Sequence, residues 1–228
     1  MTTTGEPQRA QWLARARAHL RAADPVLARL VDERPDFDPR TWIASVRPPM
    51  SLYEALLWQV AGQQLSVAAA GRILARTETA FGGHLPAPAE LLAADPARLR
   101  AAGFSWRKIA TLRDLAERFT DGRLDPAALS LLPDDDVMAA LTAVPGIGPW
   151  TAQGALVISF QREDVVLPGD LALRKAVRSV YQLDHLPSEP EMLAIAAKWR
   201  PYRTLGTFYV YSAPFQPAPE APVIAPLE

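Results

Sequence analysis

The run Val144-Pro145-Gly146-Ile147-Gly148-Pro149-Trp150-Thr151 constrains the fold of this chain more than any other stretch. Helical patterns flank it on both sides. Met138, Leu141 and Thr142 follow a cap expected at Asp134 or Asp135, and Pro149 suits the first turn of a second helix reaching about Phe160. A Gly-x-Gly link between two helices predicts a tight αα-hairpin. Gly146 and Gly148 are both expected to take left-handed angles and to let another backbone approach without a Cβ in the way. The second helix then starts with its amides facing outward, an arrangement suited to a phosphate. Taken alone, the glycines have an equally good structural explanation, since glycine also ends one helix and begins the next.

The next segment, Asp164 to Val177, tips that balance. Within Leu167-Pro168-Gly169-Asp170, the aspartate stands just ahead of a helical pattern. Its ordinary role is an N-cap. A helix N-terminus also favours the ionised carboxylate, the form needed opposite a developing cation, so capping and chemistry are compatible in one residue. A Pro-Gly-Ile-Gly hairpin followed by Leu-Pro-x-Asp at a helix start resembles the helix-hairpin-helix DNA glycosylases. Within them it is most similar to the DNA-3-methyladenine glycosylase II branch, which removes alkylated bases. The resemblance implies that Pro145, Gly146, Ile147, Gly148, Trp150 and Thr151 grip DNA backbone and that Asp170 is the essential acid. It also implies a monovalent cation held by the main-chain carbonyls of Thr142, Val144 and Ile147, serving DNA gripping rather than chemistry.

Further motifs extend the resemblance from about Ser51 to Tyr211. Ser51-x-x-Glu54 is a capping box that opens a helix through Leu56, Leu57 and Val60, and Ser66 caps the next one. Between them lies Gln63-Gln64-Leu65-Ser66. A polar turn of this kind is ordinarily a solvated αα-corner, but the run resembles the family's loop that fills the duplex gap left by a rotated nucleotide. The wedge is Gln64 or Leu65. Such a wedge lowers the cost of keeping a base out of the stack. Ser105 to Thr120 predicts a helix with Arg107, Lys108, Arg113 and Arg118 outward, ordinarily a solvated face. Its Gly-Phe-Ser-x-x-Lys start matches the resembled family and makes Lys108 a candidate phosphate contact. After a second capping box, Ser188-x-x-Glu191, comes Trp199-Arg-Pro-Tyr-Arg and an aromatic-rich helix. Aromatics at this density mostly fill cores. By resemblance, Tyr211 and Trp150 line the base pocket.

Composition limits the alternatives. With Cys 0, the chain holds neither a disulfide framework nor a thiolate-bound cluster, and His19, His84 and His185 are scattered, so no catalytic metal and no cofactor are expected. A formal net charge of -1 lends no global support to a nucleic-acid partner, which leaves local charge to do so. No apolar run reaches membrane-spanning length and no signal-peptide pattern is present, so a cytoplasmic monomer without membrane contact is expected.

The expected fold is all-α in two lobes, with the active site in the cleft between them. One lobe spans about 51–167 and contains the hairpin 145–148; the other combines about 1–50 with 168–213. A Pro-rich tail, 214–228, cannot continue a helix and is expected along the surface. No alternating strand pattern for the extra β-rich N-terminal domain of some relatives is read in the sequence, so a compact form with the two helical lobes is expected. Family members that also cut the sugar–phosphate backbone place a lysine where Trp150 stands, so the resemblance implies a monofunctional enzyme on double-stranded DNA with damaged bases. Gly154, where some relatives carry an aromatic, implies a roomier pocket. Two other readings remain open: a non-catalytic DNA-binding module that uses the same hairpin, and a same-fold glycosylase for other damaged or mismatched bases.

Overall fold

The structure, a computed structural model, describes residues 6–46 and 49–213. The polar opening residues and the Pro-rich end lie outside the described residues. Every regular element among the described residues is a helix: α1 (Glu6–Ala23), α2 (Pro25–Glu33), α3 (Pro39–Val46), α4 (Leu52–Gly62), α5 (Val67–Ala80), α6 (Pro88–Ala93) and α7 (Pro96–Ala102). They are followed by α8 (Trp106–Thr120), α9 (Pro126–Leu131), α10 (Asp134–Thr142), α11 (Pro149–Ile158), α12 (Leu171–Val180), α13 (Glu189–Ala197) and α14 (Arg203–Ser212). The chain divides into two compact units, one formed by the residues before Met50 and after Gln161, the other by Met50–Gln161.

In the first unit, α1, α2, α12, α13 and α14 bury Leu20, Leu27, Val177, Met192, Trp199 and Tyr209 in one core. Asp24 lies at its centre, 1% exposed. It caps α2 through Val26 N–H at 2.9 Å, as its Asp-Pro pattern predicts, but its other oxygen does more. Oδ2 accepts from Trp199 Nε1 at 3.0 Å and from the Tyr181 hydroxyl, and pairs with Lys198 Nζ at 3.0 Å. Burial alone would raise the carboxyl pKa; the hydrogen bonds from Tyr181, Trp199 and Lys198 outweigh it and hold Asp24 below its ordinary value.

The chain enters this unit again at Arg162, ahead of the expected boundary near 167. Polar ties to α14 account for the difference. Thr204 Oγ1 donates to Arg162 O at 2.7 Å, Val165 N–H donates to Thr204 Oγ1 at 3.0 Å, and Arg203 Nε meets Asp164 Oδ1 at 2.7 Å.

The second unit is built around α4 and α8. α4 packs against α5, α8 and α11, while α8 also packs on α6 and α7. Leu56, Leu57, Val60, Leu112, Leu115 and Leu141 are fully buried. The capping box at Ser51 and Glu54 forms, and Ser66 and Ser105 cap α5 and α8. The expected cap of α10 does not form. Pro133 takes the N-cap position, and Asp134, Asp135 and Asp136 occupy the first turn, where their charge still suits the helix N-terminus. The short helices α3, α6 and α9 carry too few turns for apolar periodicity to register in sequence, although each begins with proline.

Candidate active site

The hairpin between α10 and α11 is anchored from below and open above. Val144 and Ile147 are buried and anchor the hairpin in the core of the unit. Ile147 N–H donates to Val144 O at 3.0 Å and closes the turn, using one lone pair of a carbonyl expected to face a cation. The Thr142 hydroxyl turns back to Met138 O at 2.7 Å. Gly146 has φ +94°, and a Cβ there would lie 2.2 Å from Thr111 Oγ1. Glycine is therefore required twice over, by angle and by space. Gly148 differs from expectation: at φ -94° and ψ 176° it is the extended N-cap of α11, and a Cβ would meet nothing within 4 Å. The left turn is completed at Gly146, which frees Gly148 to enter the helix in an ordinary cap conformation. Trp150 in the first turn is 41% exposed, while Thr151 is buried.

The Gln-Gln-Leu loop lies beside this hairpin within the same unit. Gln63 Nε2 donates to Gly146 O at 3.0 Å and approaches Thr151 Oγ1 at 3.4 Å. Gln64 takes a left-handed φ of +59°, and Leu65 is 43% exposed. On α8, Arg107 is exposed, but Lys108, the candidate phosphate contact, and Arg118 both turn to backbone carbonyls. Lys108 Nζ donates to Ala61 O at 2.8 Å and Gln63 O at 2.9 Å, and Arg118 Nη2 donates to Ala143 O at 3.1 Å. Both cations reach carbonyls at the C-terminal end of another helix, where charge and hydrogen-bonding need coincide. Burial holds the Lys108 pKa below its ordinary value. Thr111, three residues on, donates Oγ1 to Pro145 O at 2.8 Å; sequence reasoning missed this residue because a threonine within a helical stripe carries no distinguishing signal.

In the first unit, Asp170 Oδ1 accepts Leu173 N–H at 2.7 Å and caps α12. Asp170 N–H donates to Leu167 O at 3.1 Å, so the Leu-Pro-Gly-Asp run is a turn that sets the carboxylate at the helix start. Tyr211 on α14 is half-buried. Its pKa is raised by burial and, secondarily, by the negative charge of Asp170, which places the phenol within the field of that carboxylate. Trp42 on α3 meets the Tyr211 ring edge-on at 6.2 Å and the Phe208 ring at 5.9 Å. Nothing in the sequence signals this contact of Trp42, since only the tertiary fold brings α3 to α14.

Gly154 is not a vacancy. It is buried where α11 packs on α4, and a Cβ would lie 2.6 Å from Gln59 Oε1. The buried Gln59 amide takes the space that an aromatic side chain at 154 would need, which corrects the expectation of a roomier pocket.

The second unit thus carries a helical hairpin with an obligatory glycine and a polar loop fixed to it, and the first carries a helix-capping aspartate and the Trp42–Tyr211 ring contact. The sequence matches the HhH-GPD superfamily base excision DNA repair protein model over residues 57–201. It is 31% identical over 201 residues to DNA-3-methyladenine glycosylase 1 of Schizosaccharomyces pombe, covering 87% of this chain and 86% of that one. Among solved structures, that of an S. pombe 3-methyladenine DNA glycosylase in complex with abasic DNA has a TM-score of 0.77 at 30% identity, covering 87% of this chain and 95% of that one. A DNA-3-methyladenine glycosidase from Bacillus halodurans has a TM-score of 0.68 at 30% identity, covering 87% and 93%. The chain belongs to the HhH-GPD superfamily of base excision DNA repair proteins and, within it, to the DNA-3-methyladenine glycosylase family. Its fold is the two-lobed, all-helical one of that superfamily.

Proposed function

We propose that this protein hydrolyses the N-glycosidic bond of alkylated bases, of the 3-methyladenine and 7-methylguanine type, in double-stranded DNA, without cutting the strand. The observation that carries the reading is the Asp170 carboxylate, held at the start of α12 by the Leu173 N–H at 2.7 Å. Breaking the bond leaves positive charge on the deoxyribose, and a fixed carboxylate stabilises that charge electrostatically and orients water. An alkylated purine already carries a positive charge and leaves with little protonation, so one essential carboxylate suffices.

Trp150 and Tyr211 are the proposed aromatic faces for the cationic base, with Trp42 supporting the Tyr211 ring; a cation over such a face gains about 0.5–2 kcal/mol. The hairpin from Pro145 to Thr151 is the proposed grip on DNA backbone, through amides at the start of α11. Gln64 or Leu65 is the proposed wedge, and Ser66 closes their loop by capping α5. Trp150 offers no amine for a Schiff base, which supports a glycosylase without lyase activity. Among the described residues no helix is long and apolar enough to cross a membrane, and a cytoplasmic location is part of this proposal.

The test is to incubate the protein with duplexes that each carry one lesion and to identify the released base. Release of alkylated purines, with the strand left intact at an abasic site, is expected. Binding to abasic duplex without release of any base is the outcome that overturns the catalytic reading.

A further inference from the structure

Two loops that the proposed function uses for different tasks are fastened to one face of α8. Lys108 and Thr111, three residues apart, lie one above the other on a helix. Lys108 Nζ donates to Ala61 O and Gln63 O, and Thr111 Oγ1 donates to Pro145 O. Gln63 then closes the arrangement by donating Nε2 to Gly146 O at 3.0 Å. The last carbonyls of α4 would otherwise lack a helical partner, and an ammonium there satisfies that of Ala61 and that of the cap residue Gln63 while meeting the negative end of the helix dipole. The cost is desolvation of the lysine, seen in its lowered pKa. Immediately beyond this clamp the backbone is unfavourable: Gln64 holds a left-handed φ without being glycine, a conformation that persists only where the surroundings over-determine it.

We propose that Lys108 is a positioning residue for base flipping. With Gln63 it locks the Gln64-Leu65 tip at a fixed offset from the hairpin, so that gripping the backbone also sets where the stack is opened. The ammonium acts through the loop and not by touching phosphate. This inference rests on the base-flipping reading above. A loose loop would still allow the hairpin to bind DNA, but the wedge would enter the duplex in many orientations, and the preorganisation that makes flipping favourable would be lost.

The test compares wild type, Lys108→Met and Gln63→Ala on a 7-methylguanine placed opposite cytosine and on the same strand with a one-nucleotide gap facing the lesion, where little pairing remains to be broken. Single-turnover base release, thermal stability and the salt dependence of binding to a duplex with an abasic-site analogue are measured together. Lys108→Met is expected to slow release from the paired duplex by about tenfold or more, the usual consequence of losing hydrogen bonds to a charged group. Release from the gapped duplex should stay within about threefold, because that substrate leaves little flipping cost for the loop to offset. Lys108→Arg, which keeps the charge and donors, should recover part of the loss on the paired substrate. Gln63→Ala, at a half-exposed position, should show the same paired-versus-gapped pattern and carries the test if Lys108→Met does not fold. Equal slowing on both substrates would overturn the inference in favour of a general structural role. A fall of about 0.9 in the slope of log K against log salt would overturn it in favour of a direct phosphate contact. If wild type releases base from neither substrate, the functional reading fails and this inference with it; if wild type is active and the variants slow uniformly, the clamp alone fails.

Discussion

The two units solve the same problem, presenting polar groups from a helical core, by different means. The first relies on buried or half-buried charge: Asp24 with Lys198, Tyr181 and Trp199; Arg203 with Asp164; and Arg9 with Asp38 at 2.8 Å. The second also pairs charge, Arg118 with Asp114 at 3.1 Å, but fastens its hairpin and polar loop through donors on backbone carbonyls, as at Lys108, Arg118, Thr111 and Gln63. The difference follows the tasks proposed for each. A carboxylate intended for a cationic transition state requires a rigid surrounding, and networks of satisfied charge supply it. A surface that receives phosphates is better served by backbone groups and few fixed anions. The loops of the second unit are accordingly held by cations and neutral donors rather than by carboxylates.

Asp24→Ala is the harshest way to break this contrast. It leaves the Trp199 indole N–H and the Tyr181 hydroxyl without their acceptor and should cost about 3–5 kcal/mol, measured by denaturant unfolding. The same network sets an acid limit. The Asp24 pKa is depressed in the folded state, so its contribution is complete above the unfolded value of about 3.8 and is lost as pH falls through the lower folded value. The stability gap between wild type and Asp24→Asn should therefore narrow below that pH; a gap that is constant from neutral to acid would show that the charge is irrelevant.

Asp170→Asn separates charge from cap. Asn still accepts Leu173 N–H, so stability should change by less than about 1 kcal/mol. Base release in a single turnover should slow by about 100-fold or more, the scale of losing one electrostatic contact to a transition state. Binding to an abasic duplex should persist. Wild-type release rates from the Asn variant would reduce Asp170 to a cap.

Within the second unit the hairpin glycines should differ. Gly146→Ala forces a left-handed angle that costs about 1–2 kcal/mol and also displaces Thr111 from Pro145 O, so DNA affinity should fall with stability. Gly148→Ala meets open space at an ordinary angle and should stay within about 1 kcal/mol. Similar losses at both positions, in melting and binding assays, would mean the hairpin is not fixed through Thr111. The smallest effect belongs to borohydride: no protein–DNA adduct should be trapped, and a trapped adduct would identify an amine acting in place of the one Trp150 does not supply.

Much of the fold was legible because its signals are local. The capping boxes at Ser51 and Ser188, the Ser66 cap and the Asp-Pro start at Asp24 depend on residues a few positions apart. The hairpin and the capped Asp170 belong to the same class, and the resemblance they carry led to the family. What sequence by itself could not determine is where long side chains go. Lys108 read as a candidate phosphate contact and Arg118 as part of a solvated face because a helix pattern records which way a residue points, not which carbonyl lies within reach of its stem. Gly154 read as space because the pattern does not show Gln59 crossing from α4 to fill it. Gly148 read as left-handed because a Gly-x-Gly run does not say which glycine completes the turn; Thr111, from a helix distant in sequence, decides that it is Gly146. Local sequence thus determined the longer helices, most of their caps and the placement of one aspartate at a helix start, since those are set by neighbours along the chain. The tertiary structure decided the anchoring of the loops, the partner of Tyr211 and the space beside the helices, since those depend on contacts between residues that the sequence keeps far apart.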